Sequence, residues 1–326
     1  MKSINNLAVF TSGGDAPGMN ACIRAVARAG IANGCKVYGI LHGYNGMITD
    51  QFIELDASKV GNIIQRGGTI LKTARSTEFL EKAGRKKAYE NLKKYNIDGV
   101  VAIGGDGTFT GATVFMSEYP DIRFVGTPGT IDNDLCGTDY TIGYDTAINT
   151  VVEAVDKIRD TADAHDRLFF VEVMGRDSGL IALYSGIASG AEAIVIPETP
   201  TNIERLFQKL EKGWLRKKSS RIIIVAEGDE LGGAMVLAEK VRTKFNFDAR
   251  VTILGHIQRG GSPSCNDRVL ATRLGYEAVE ALMRGRHGVM VGQVNNQIVL
   301  TPFYEAIKDD GKVNMQLVKM AEILSM

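Results

Sequence analysis

The chain has 326 residues, a length that suits two domains or one large α/β unit with insertions. Its 38 basic and 38 acidic side chains cancel, so the composition indicates neither nucleic acid nor an anionic membrane surface as a partner. No apolar run approaches the roughly 18 residues of a membrane span, and the four cysteines form no CxxC or Cys/His cluster, so we expect a soluble cytoplasmic protein in a reducing compartment, without structural zinc.

Short apolar segments that end at glycines alternate with amphipathic segments along the whole chain. The former have the composition of strands buried on both faces, and the latter have helical spacing. The predicted strands are residues 7–10, 36–40, 99–103, 123–126, 168–173, 193–196, 221–225 and 250–253. The predicted helices are residues 19–32, 85–95, 144–164, 203–217, 234–245 and 267–284, and a further helical segment is predicted between Thr108 and Phe124. This alternation predicts the α/β fold class with a doubly wound sheet, in which ligands bind beyond the carboxyl ends of the strands.

A glycine-rich loop follows the first predicted strand and opens a helix, with the sequence Thr11-Ser-Gly-Gly-Asp-Ala-Pro-Gly-Met-Asn20. A strand, a glycine turn and a helix start present unpaired N–H groups and the positive end of the helix dipole to an anion. The loop lacks the P-loop lysine and the GxGxxG spacing, so neither standard nucleotide motif is present. By itself it suits simple strand-to-helix packing as well as a phosphate site.

Two further loops follow strands that would lie side by side in a parallel sheet. The glycines of Gly104-Gly-Asp-Gly107 let backbone N–H groups approach a bulky anion, and Asp106 stands where the Mg²⁺ of a nucleotide needs an oxygen ligand. The next loop carries Asp132 and Asp134, which in extended chain would point the same way. A glycine cradle that faces an acidic pair suits phosphoryl transfer to a hydroxyl.

Six motifs occur in order along nearly the whole chain. They are Thr11-Ser-Gly-Gly-Asp-Ala-Pro-Gly-Met-Asn20, Arg66-Gly-Gly-Thr69 leading to Ala74-Arg75, Gly104-Gly-Asp-Gly107, Pro128-Gly-Thr-Ile-Asp-Asn-Asp134, Val173-Met-Gly-Arg176 and Leu254-Gly-His-Ile-Gln-Arg-Gly-Gly-Ser-Pro263. Together they resemble the ATP-dependent 6-phosphofructokinases of bacterial type. The Gly-Gly-Asp-Gly loop alone is less specific, because NAD kinases and lipid kinases of the diacylglycerol type carry a similar one.

The resemblance implies two Rossmann-like three-layer α/β/α domains with the active site in the cleft between them. The larger, ATP-binding domain would comprise residues 1–143 and 258–308. The smaller, fructose 6-phosphate-binding domain would comprise residues 144–257 and 309–326. The implied reaction, a step of glycolysis, moves the γ-phosphate of MgATP to the 1-hydroxyl of fructose 6-phosphate and gives fructose 1,6-bisphosphate and ADP.

The resemblance also implies roles for individual residues. Asp132 would be the base that accepts the proton of the sugar hydroxyl, and Arg75 would bridge the moving phosphate. The expected catalytic residues are Asp132, Arg75, Thr130, Asp134 and Arg176. The expected ATP-binding residues are Gly14, Arg75, Ser76, Gly105, Asp106, Gly107 and Thr108, with Asp106 as the ligand of the cofactor Mg²⁺.

The sugar phosphate would have its own cationic seat, since a phosphate dianion is best met by several charge-assisted donors. The expected substrate-binding residues are Thr130, Asp132, Arg167, Met174, Gly175, Arg176, Glu227, Arg250, His256 and Arg259. In the family Arg167 and Arg250 reach in from a neighbouring subunit, so the resemblance implies a homotetramer with shared active sites.

A regulatory anion site is implied as well. Arg24 and Arg28 lie at i and i+4 on the first predicted helix, where like charges repel unless a ligand neutralises them. By resemblance the effector site, for ADP or phosphoenolpyruvate, would comprise Arg24, Arg28, Arg159, Gly190, Glu192, Arg216 and Lys218. A solvated helix face is the structural alternative for the two arginines.

Other functions remain open on the same residues. A pyrophosphate-dependent enzyme or a kinase for another sugar phosphate would share the fold. Pyrophosphate-dependent relatives typically carry Asp and Lys where this chain has Gly107 and Gly129, which favours ATP. A non-catalytic nucleotide-sensing subunit would need to have lost a catalytic position, and none is missing. Taken singly, Asp132 or Asp134 would serve equally well as a helix or turn cap.

Overall fold

The computed structural model describes residues 4–164, 167–215, 221–245, 247–308 and 313–325. This part of the chain divides into two compact units. The larger unit contains the described residues of Met1–Thr146 and Arg259–Asp310, and the smaller contains those of Ala147–Gln258 and Gly311–Met326. None of the helices in these ranges is long and apolar enough to cross a membrane.

The strands and helices alternate along the chain. The strands are β1 (Asn6–Thr11), β2 (Lys36–Ile40), β3 (Phe52–Glu54), β4 (Gly99–Gly104), β5 (Arg123–Pro128), β6 (Leu168–Val173), β7 (Ala193–Val195), β8 (Arg221–Ala226), β9 (Ala249–Ile253), β10 (Val289–Val294) and β11 (Gln297–Pro302). The helices are α1 (Met19–Ala32), α2 (Gly43–Ile48), α3 (Lys82–Lys94), α4 (Asp106–Glu118), α5 (Tyr144–Asp163), α6 (Leu180–Ala188), α7 (Ile203–Leu215), α8 (Gly233–Phe245), α9 (Cys265–Met283), α10 (Phe303–Ala306) and α11 (Met315–Leu324). Short 3-10 helices cover Glu78–Leu80 and Gly255–Arg259.

The larger unit is built on a mixed sheet with the strand order β11-β10-β5-β4-β1-β2-β3. The inner strands are parallel, and β3 and β11 pair antiparallel at the two edges. Every residue of β4 is buried, which explains its continuous apolar run. Because the chain leaves β1 towards β2 on one side and returns as β4 on the other, the carboxyl ends of β1 and β4 flank the topological switch point, where ligands bind in such sheets.

The smaller unit has a parallel sheet with the order β7-β8-β6-β9. Its core combines β-branched strand residues with leucines of α7 and α8, among them Ile223, Leu210 and Leu237, all fully buried. Burial of such side chains contributes about 1.5–3 kcal/mol each relative to exposure. Each unit therefore has its own hydrophobic core.

Each predicted strand is present to within two residues at either end. The strands β3, β10 and β11 and the helices α2, α6, α10 and α11 were not predicted. The β10–β11 hairpin does carry a recognisable turn pair, Asn295 and Asn296, with φ of 48° and 67°. Left-handed residues at both central positions are typical of a type I′ hairpin turn. Residues 216 and 217 of the predicted helix 203–217 lie outside the described residues.

The first turns of α5 and α9 cap each other in the larger unit. The carboxylate of Asp267 accepts hydrogen bonds from the backbone N–H groups of Gly143 and Thr146, both at 2.8 Å. In return, the hydroxyl of Ser264, the N-cap residue of α9, donates to the carboxylate of Asp145 at 2.5 Å. Asp267 is 1% exposed, and this burial raises its pKa from 3.8 to about 6.

The raised pKa of Asp267 predicts a specific pH dependence of stability. Between pH 3.8 and about 6 the folded protein holds a proton that the unfolded chain has released. The stabilising contribution is therefore fully present below about pH 4 and is lost as the pH rises through about 6. Asp267→Asn cannot ionise, so the unfolding free energy of the wild type relative to this variant should fall by up to about 3 kcal/mol from pH 4 to pH 7. Urea titrations at several pH values measure this difference, and a constant value would contradict the prediction.

Candidate active site

The loop after β1, residues 12–18, lies against the end of β4. The N–H of Ser12 donates to the carbonyl of Ile103 at 3.0 Å, which joins the two strand ends. Gly13 has φ of 86° and open space around a Cβ built on it, so its backbone is accessible. This loop leads into α1 through Gly18, whose φ is 110°. It therefore exposes backbone at the switch point, as an anion site requires.

The turn after β4 requires glycine for close backbone approach. A Cβ on Gly104 would lie 2.7 Å from the carbonyl oxygen of Ser12, too close for any side chain. Asp106 and Gly107 begin α4 and are both exposed. A Cβ built on Gly107 meets nothing within 4 Å. Open space beside the N-terminus of a helix of 13 residues, with one exposed carboxylate, is a typical environment for a phosphate group and a hydrated cation.

The loop after β5, residues 129–143, carries the predicted base beside this turn. The N–H of Gly129 donates to the carbonyl of Gly104 at 3.0 Å. A Cβ on Gly105 would lie 3.8 Å from the Cβ of Thr130, so the two loops are in contact distance. Asp132 is only 2% exposed, and its N–H donates to the hydroxyl of Thr130 at 3.2 Å. The structure thus brings Asp106, Thr130 and Asp132 to one edge of one sheet.

The expectation of a matched pair of carboxylates is wrong. Asp132 and Asp134 would point the same way only in extended chain, but Asn133 between them has φ of 53°. Asp132 is buried, whereas Asp134 is exposed. The two carboxylates therefore have different environments.

The segment that carries Arg75 and Ser76 is fixed by the residues that follow it. The hydroxyl of Ser76 accepts a hydrogen bond from the N–H of Phe79 at 3.3 Å, and Arg75 is exposed. The ring of Phe79 stacks on Tyr44 with centroids 3.9 Å apart. The hydroxyl of Tyr44 in turn donates to the carbonyl of Thr108 at 2.6 Å. Tyr44 thus connects this segment to the first turn of α4.

Tyr44, Phe79 and the buried Arg85 were not predicted from the sequence. Arg85 donates to the carbonyl oxygen of Phe79 at 2.9 Å and pairs with Glu118 at 2.7 Å. The stack of Phe79 on Tyr44 and the pair of Arg85 with Glu118 join residues far apart in sequence, so no local pattern signals them. The buried hydroxyl of Tyr44 and the buried guanidinium of Arg85 each need a hydrogen-bond partner. Their burial therefore accounts for the contacts that fix this segment.

Arg259 belongs to the larger unit, and its side chain packs against the loop that follows β1. A Cβ on Gly14 would overlap the guanidinium of Arg259, whose Nη1 donates to the carbonyl of Asp15 at 3.3 Å. Arg259 is 9% exposed. Gly14 and Arg259, assigned to ATP and to the sugar phosphate respectively, are therefore direct neighbours.

In the smaller unit, the predicted sugar-binding residues lie at the ends of β6 and β8. The N–H of Arg176 donates to the carboxylate of Glu227 at 3.0 Å, and Arg176 has φ of 52°. Met174 is buried, and its N–H donates to Gln258 Oε1 at 3.3 Å. Gly175 has φ of 141°, which favours glycine. Gln258, fully buried, was not among the predicted residues.

Arg167 and Arg250 share one carboxylate in the smaller unit. Asp248 accepts from Arg167 Nε at 3.0 Å and from Arg250 Nε at 2.8 Å. The hydrogen bond from Arg250 and then that from Arg167 lower the pKa of Asp248. All three side chains are partly exposed, and the cluster carries one net positive charge. His256, in the 3-10 helix after β9, is exposed.

The predicted effector residues lie in both units. Arg24 and Arg28 are on α1 of the larger unit, half-buried and exposed respectively. In the smaller unit Arg159 contacts the carbonyl of Ser189, next to Gly190 with φ of 60°, and Glu192 is 7% exposed. Arg216 and Lys218 lie outside the described residues.

The described residues include no group of three or more His, Cys, Asp or Glu side chains that could hold a metal ion. Mg²⁺ does not require such a group, since it typically uses one or two carboxylates together with substrate phosphates and water. The single exposed carboxylate of Asp106, at the open start of α4, fits that requirement.

An open glycine turn at the switch point, next to a buried aspartate, is typical of α/β proteins that transfer phosphoryl groups. The Phosphofructokinase family profile matches residues 6–282. The chain belongs to the phosphofructokinase family. The resemblance found in the motifs is thereby confirmed.

Full-length relatives are similar along the whole chain. An ATP-dependent 6-phosphofructokinase of Cytophaga hutchinsonii is 55% identical over 99% of this chain and 98% of its own length. ATP-dependent 6-phosphofructokinase 2 of Bacteroides thetaiotaomicron is 54% identical over the full length of both. ATP-dependent 6-phosphofructokinase 1 of Thermus thermophilus is also 54% identical, over 99% of this chain and 100% of its own.

Solved structures confirm the predicted α/β fold class. Pichia pastoris phosphofructokinase in the T-state superposes with a TM-score of 0.89 at 38% identity. The match covers 99% of this chain but 37% of that longer chain. A pyrophosphate-dependent phosphofructokinase of Marinobacter aquaeolei, at 22% identity and a TM-score of 0.87, shares the fold.

Proposed function

We propose that the protein is an ATP-dependent 6-phosphofructokinase that acts in glycolysis. It would convert MgATP and fructose 6-phosphate to ADP and fructose 1,6-bisphosphate. The observation that carries the proposal is the contact between the open turn at Asp106 and Gly107 and the loop of the buried Asp132. The names of the full-length relatives support the same reaction.

In the proposed step, the 1-hydroxyl oxygen of the sugar bonds to the γ-phosphorus while the bond from that phosphorus to the ADP oxygen breaks. Asp132 accepts the hydroxyl proton, and Thr130 and Asp134 orient the acceptor. Arg75 and Arg176 would follow the negative charge as it moves from donor to acceptor. Little covalent work remains for the protein, so positioning and charge compensation dominate.

The proposed donor site comprises Gly14, Arg75, Ser76 and the turn from Gly105 to Thr108. Asp106 would hold Mg²⁺ beside the ATP phosphates, and the ion when bound neutralises part of their charge. In the structure the hydroxyl of Ser76 already accepts a backbone hydrogen bond, so it acts at least as a cap of the turn that follows.

A turnover assay with fructose 6-phosphate and MgATP tests the proposal directly. ADP release coupled to a dehydrogenase signal should be saturable in both substrates and require magnesium. The same assay with pyrophosphate, and with a panel of other sugar phosphates, tests the alternatives. Turnover with pyrophosphate but not ATP would contradict the proposal, and so would binding of both substrates without turnover.

The sugar phosphate is proposed to bind Met174, Gly175, Arg176, Glu227, His256 and Arg259 together with Arg167 and Arg250. Arg167 and Arg250 would come from a neighbouring subunit, since the protein is proposed to be a homotetramer. Its proposed location is the cytoplasm. Asp248 holds these two guanidinium groups together and leaves the cluster one positive charge in excess. That excess suits a phosphate dianion.

Arg250→Ala is therefore expected to raise the KM for fructose 6-phosphate by on the order of 10- to 100-fold, the usual loss of a hydrogen bond to a charged group. The KM for MgATP should change little, because the proposed cationic site for the sugar phosphate contacts only the acceptor substrate. Steady-state kinetics with each substrate varied separately measure both values. Arg205→Ala, which breaks an exposed pair with Glu322 at 3.1 Å, is the control. Equal weakening of both substrates would assign Arg250 a structural role.

We also propose regulation by ADP or phosphoenolpyruvate through Arg24, Arg28, Arg159, Gly190, Glu192, Arg216 and Lys218. Two arginines one turn apart on α1 repel each other, and an anion would relieve that repulsion. Fructose 6-phosphate saturation curves with and without each effector test this proposal, and light scattering measures the number of subunits.

A further inference from the structure

The loop that carries Asp132 is closed at its base. Residues 129–142 leave β5 and return beside it, and Gly129 and Ile142 form a parallel β-bridge. The N–H of Ile142 donates to the carbonyl of Pro128 at 2.8 Å. The two ends of the loop are therefore adjacent, as in other compact surface loops. The residues between them are held by side-chain hydrogen bonds within the loop, which we call ties.

The side chain of Asn133 is one of these ties. Its Oδ1 accepts from the N–H of Thr141 at 2.8 Å, and its Nδ2 donates to the carbonyl of Asp139 at 3.1 Å. Asn133 is 4% exposed and has φ of 53°, a conformation that asparagine tolerates better than most residues. One side chain thus links the outgoing limb of the loop to two points of the returning limb.

Thr141 supplies the second tie. Its hydroxyl donates to the carbonyl of Thr130 at 2.6 Å, and the residue is fully buried. The hydroxyl of Thr130 accepts from the N–H of Asp132. The main chain on both sides of Asp132 is consequently held by side chains from Asn133 and Thr141.

We propose that Asn133 and Thr141 are positioning residues that fix the carboxylate of Asp132 for proton transfer. The inference rests on the proposed function, in which Asp132 is the base. Proton transfer depends steeply on geometry, and a displacement of about 1 Å can cost about 100-fold in rate. The donor site is on a different turn, so loss of the ties should affect turnover and leave nucleotide binding intact.

Asn133→Gly removes both hydrogen bonds but permits the left-handed backbone. It should lower kcat by on the order of 10- to 100-fold with the KM for MgATP unchanged. Asn96→Gly is the matched control, because Asn96 has φ of 52° at the end of α3 and is exposed. It should leave kcat at the wild-type value.

Thr141→Val removes the hydroxyl at nearly constant shape, whereas Thr141→Ser retains it. Valine should lower kcat by on the order of 10-fold and serine should restore most of it, a rescue that loss of packing would not produce. Thermal melts of all variants report whether each is folded. Wild-type kcat in folded Asn133→Gly would overturn the inference, as would equal kcat for the two Thr141 variants or a parallel change in the KM for MgATP. Absence of wild-type turnover would instead overturn the proposed function and this inference with it.

Discussion

Asp132→Asn is expected to lower kcat by on the order of 10²- to 10⁴-fold, the usual contribution of a general base. An amide occupies nearly the same volume as the carboxylate, so packing around this buried side chain is preserved. The amide cannot accept the hydroxyl proton, and the chemical step therefore loses its acceptor. The KM for MgATP should stay close to the wild-type value because the nucleotide is held by the turn at Asp106.

Single-turnover kinetics with saturating substrates measure this loss at the chemical step. Asp134→Asn is the comparison variant, because Asp134 is an exposed carboxylate of the same loop that is proposed to orient the acceptor but not to accept the proton. Its effect should be much smaller than that of Asp132→Asn. Near-wild-type turnover in Asp132→Asn would remove this residue from the role of base, and a larger effect at Asp134 would reverse the assignment.

The inner strands could be predicted because burial on both faces leaves a continuous apolar run, as in β4 and β8. The edge strand β3 consists of three residues, with Ile53 and Glu54 exposed, and offers no such run. The β10–β11 hairpin is partly exposed and alternates weakly. Apolar runs in a sequence indicate buried strands. Partly exposed strands at the edge of a sheet lack such runs and are therefore not predicted from them.

The motifs named candidate residues for the site, but they did not give the geometry of those residues. Motif resemblance identified Asp132 and Asp134, yet the left-handed Asn133 separates their environments. Placement of Arg259 against Gly14 joins residues 245 positions apart in the chain. Such contacts depend on the whole sheet, and no local spacing encodes them. The motifs indicate the residue types that the proposed chemistry needs. The arrangement of those residues in space depends on the fold.

Gly107→Asp should abolish most ATP-dependent turnover while leaving the larger unit folded. Nothing lies within 4 Å of a Cβ at Gly107, so the new side chain meets no steric obstacle. An acidic residue in the first turn of α4 also interacts favourably with the helix dipole. The free energy of unfolding should therefore stay the same or rise slightly.

The new carboxylate would occupy the space into which the nucleotide phosphates are proposed to extend. Two unit charges 4 Å apart repel by about 4 kcal/mol at an effective dielectric of 20, so the KM for MgATP should rise by on the order of 10²- to 10³-fold. Gly107→Ala, which adds bulk without charge, should have a far smaller effect. By contrast, a Cβ at Gly129 would lie 2.9 Å from Ile103 Cγ2 and 3.2 Å from the backbone nitrogen of Gly104, so Lys at this position requires the strand ends to move.

The two Gly107 variants are tested by isothermal titration with a non-hydrolysable ATP analogue. Thermal melts of the same variants separate the charge effect on nucleotide affinity from misfolding. Unchanged nucleotide affinity in folded Gly107→Asp would place the phosphates elsewhere.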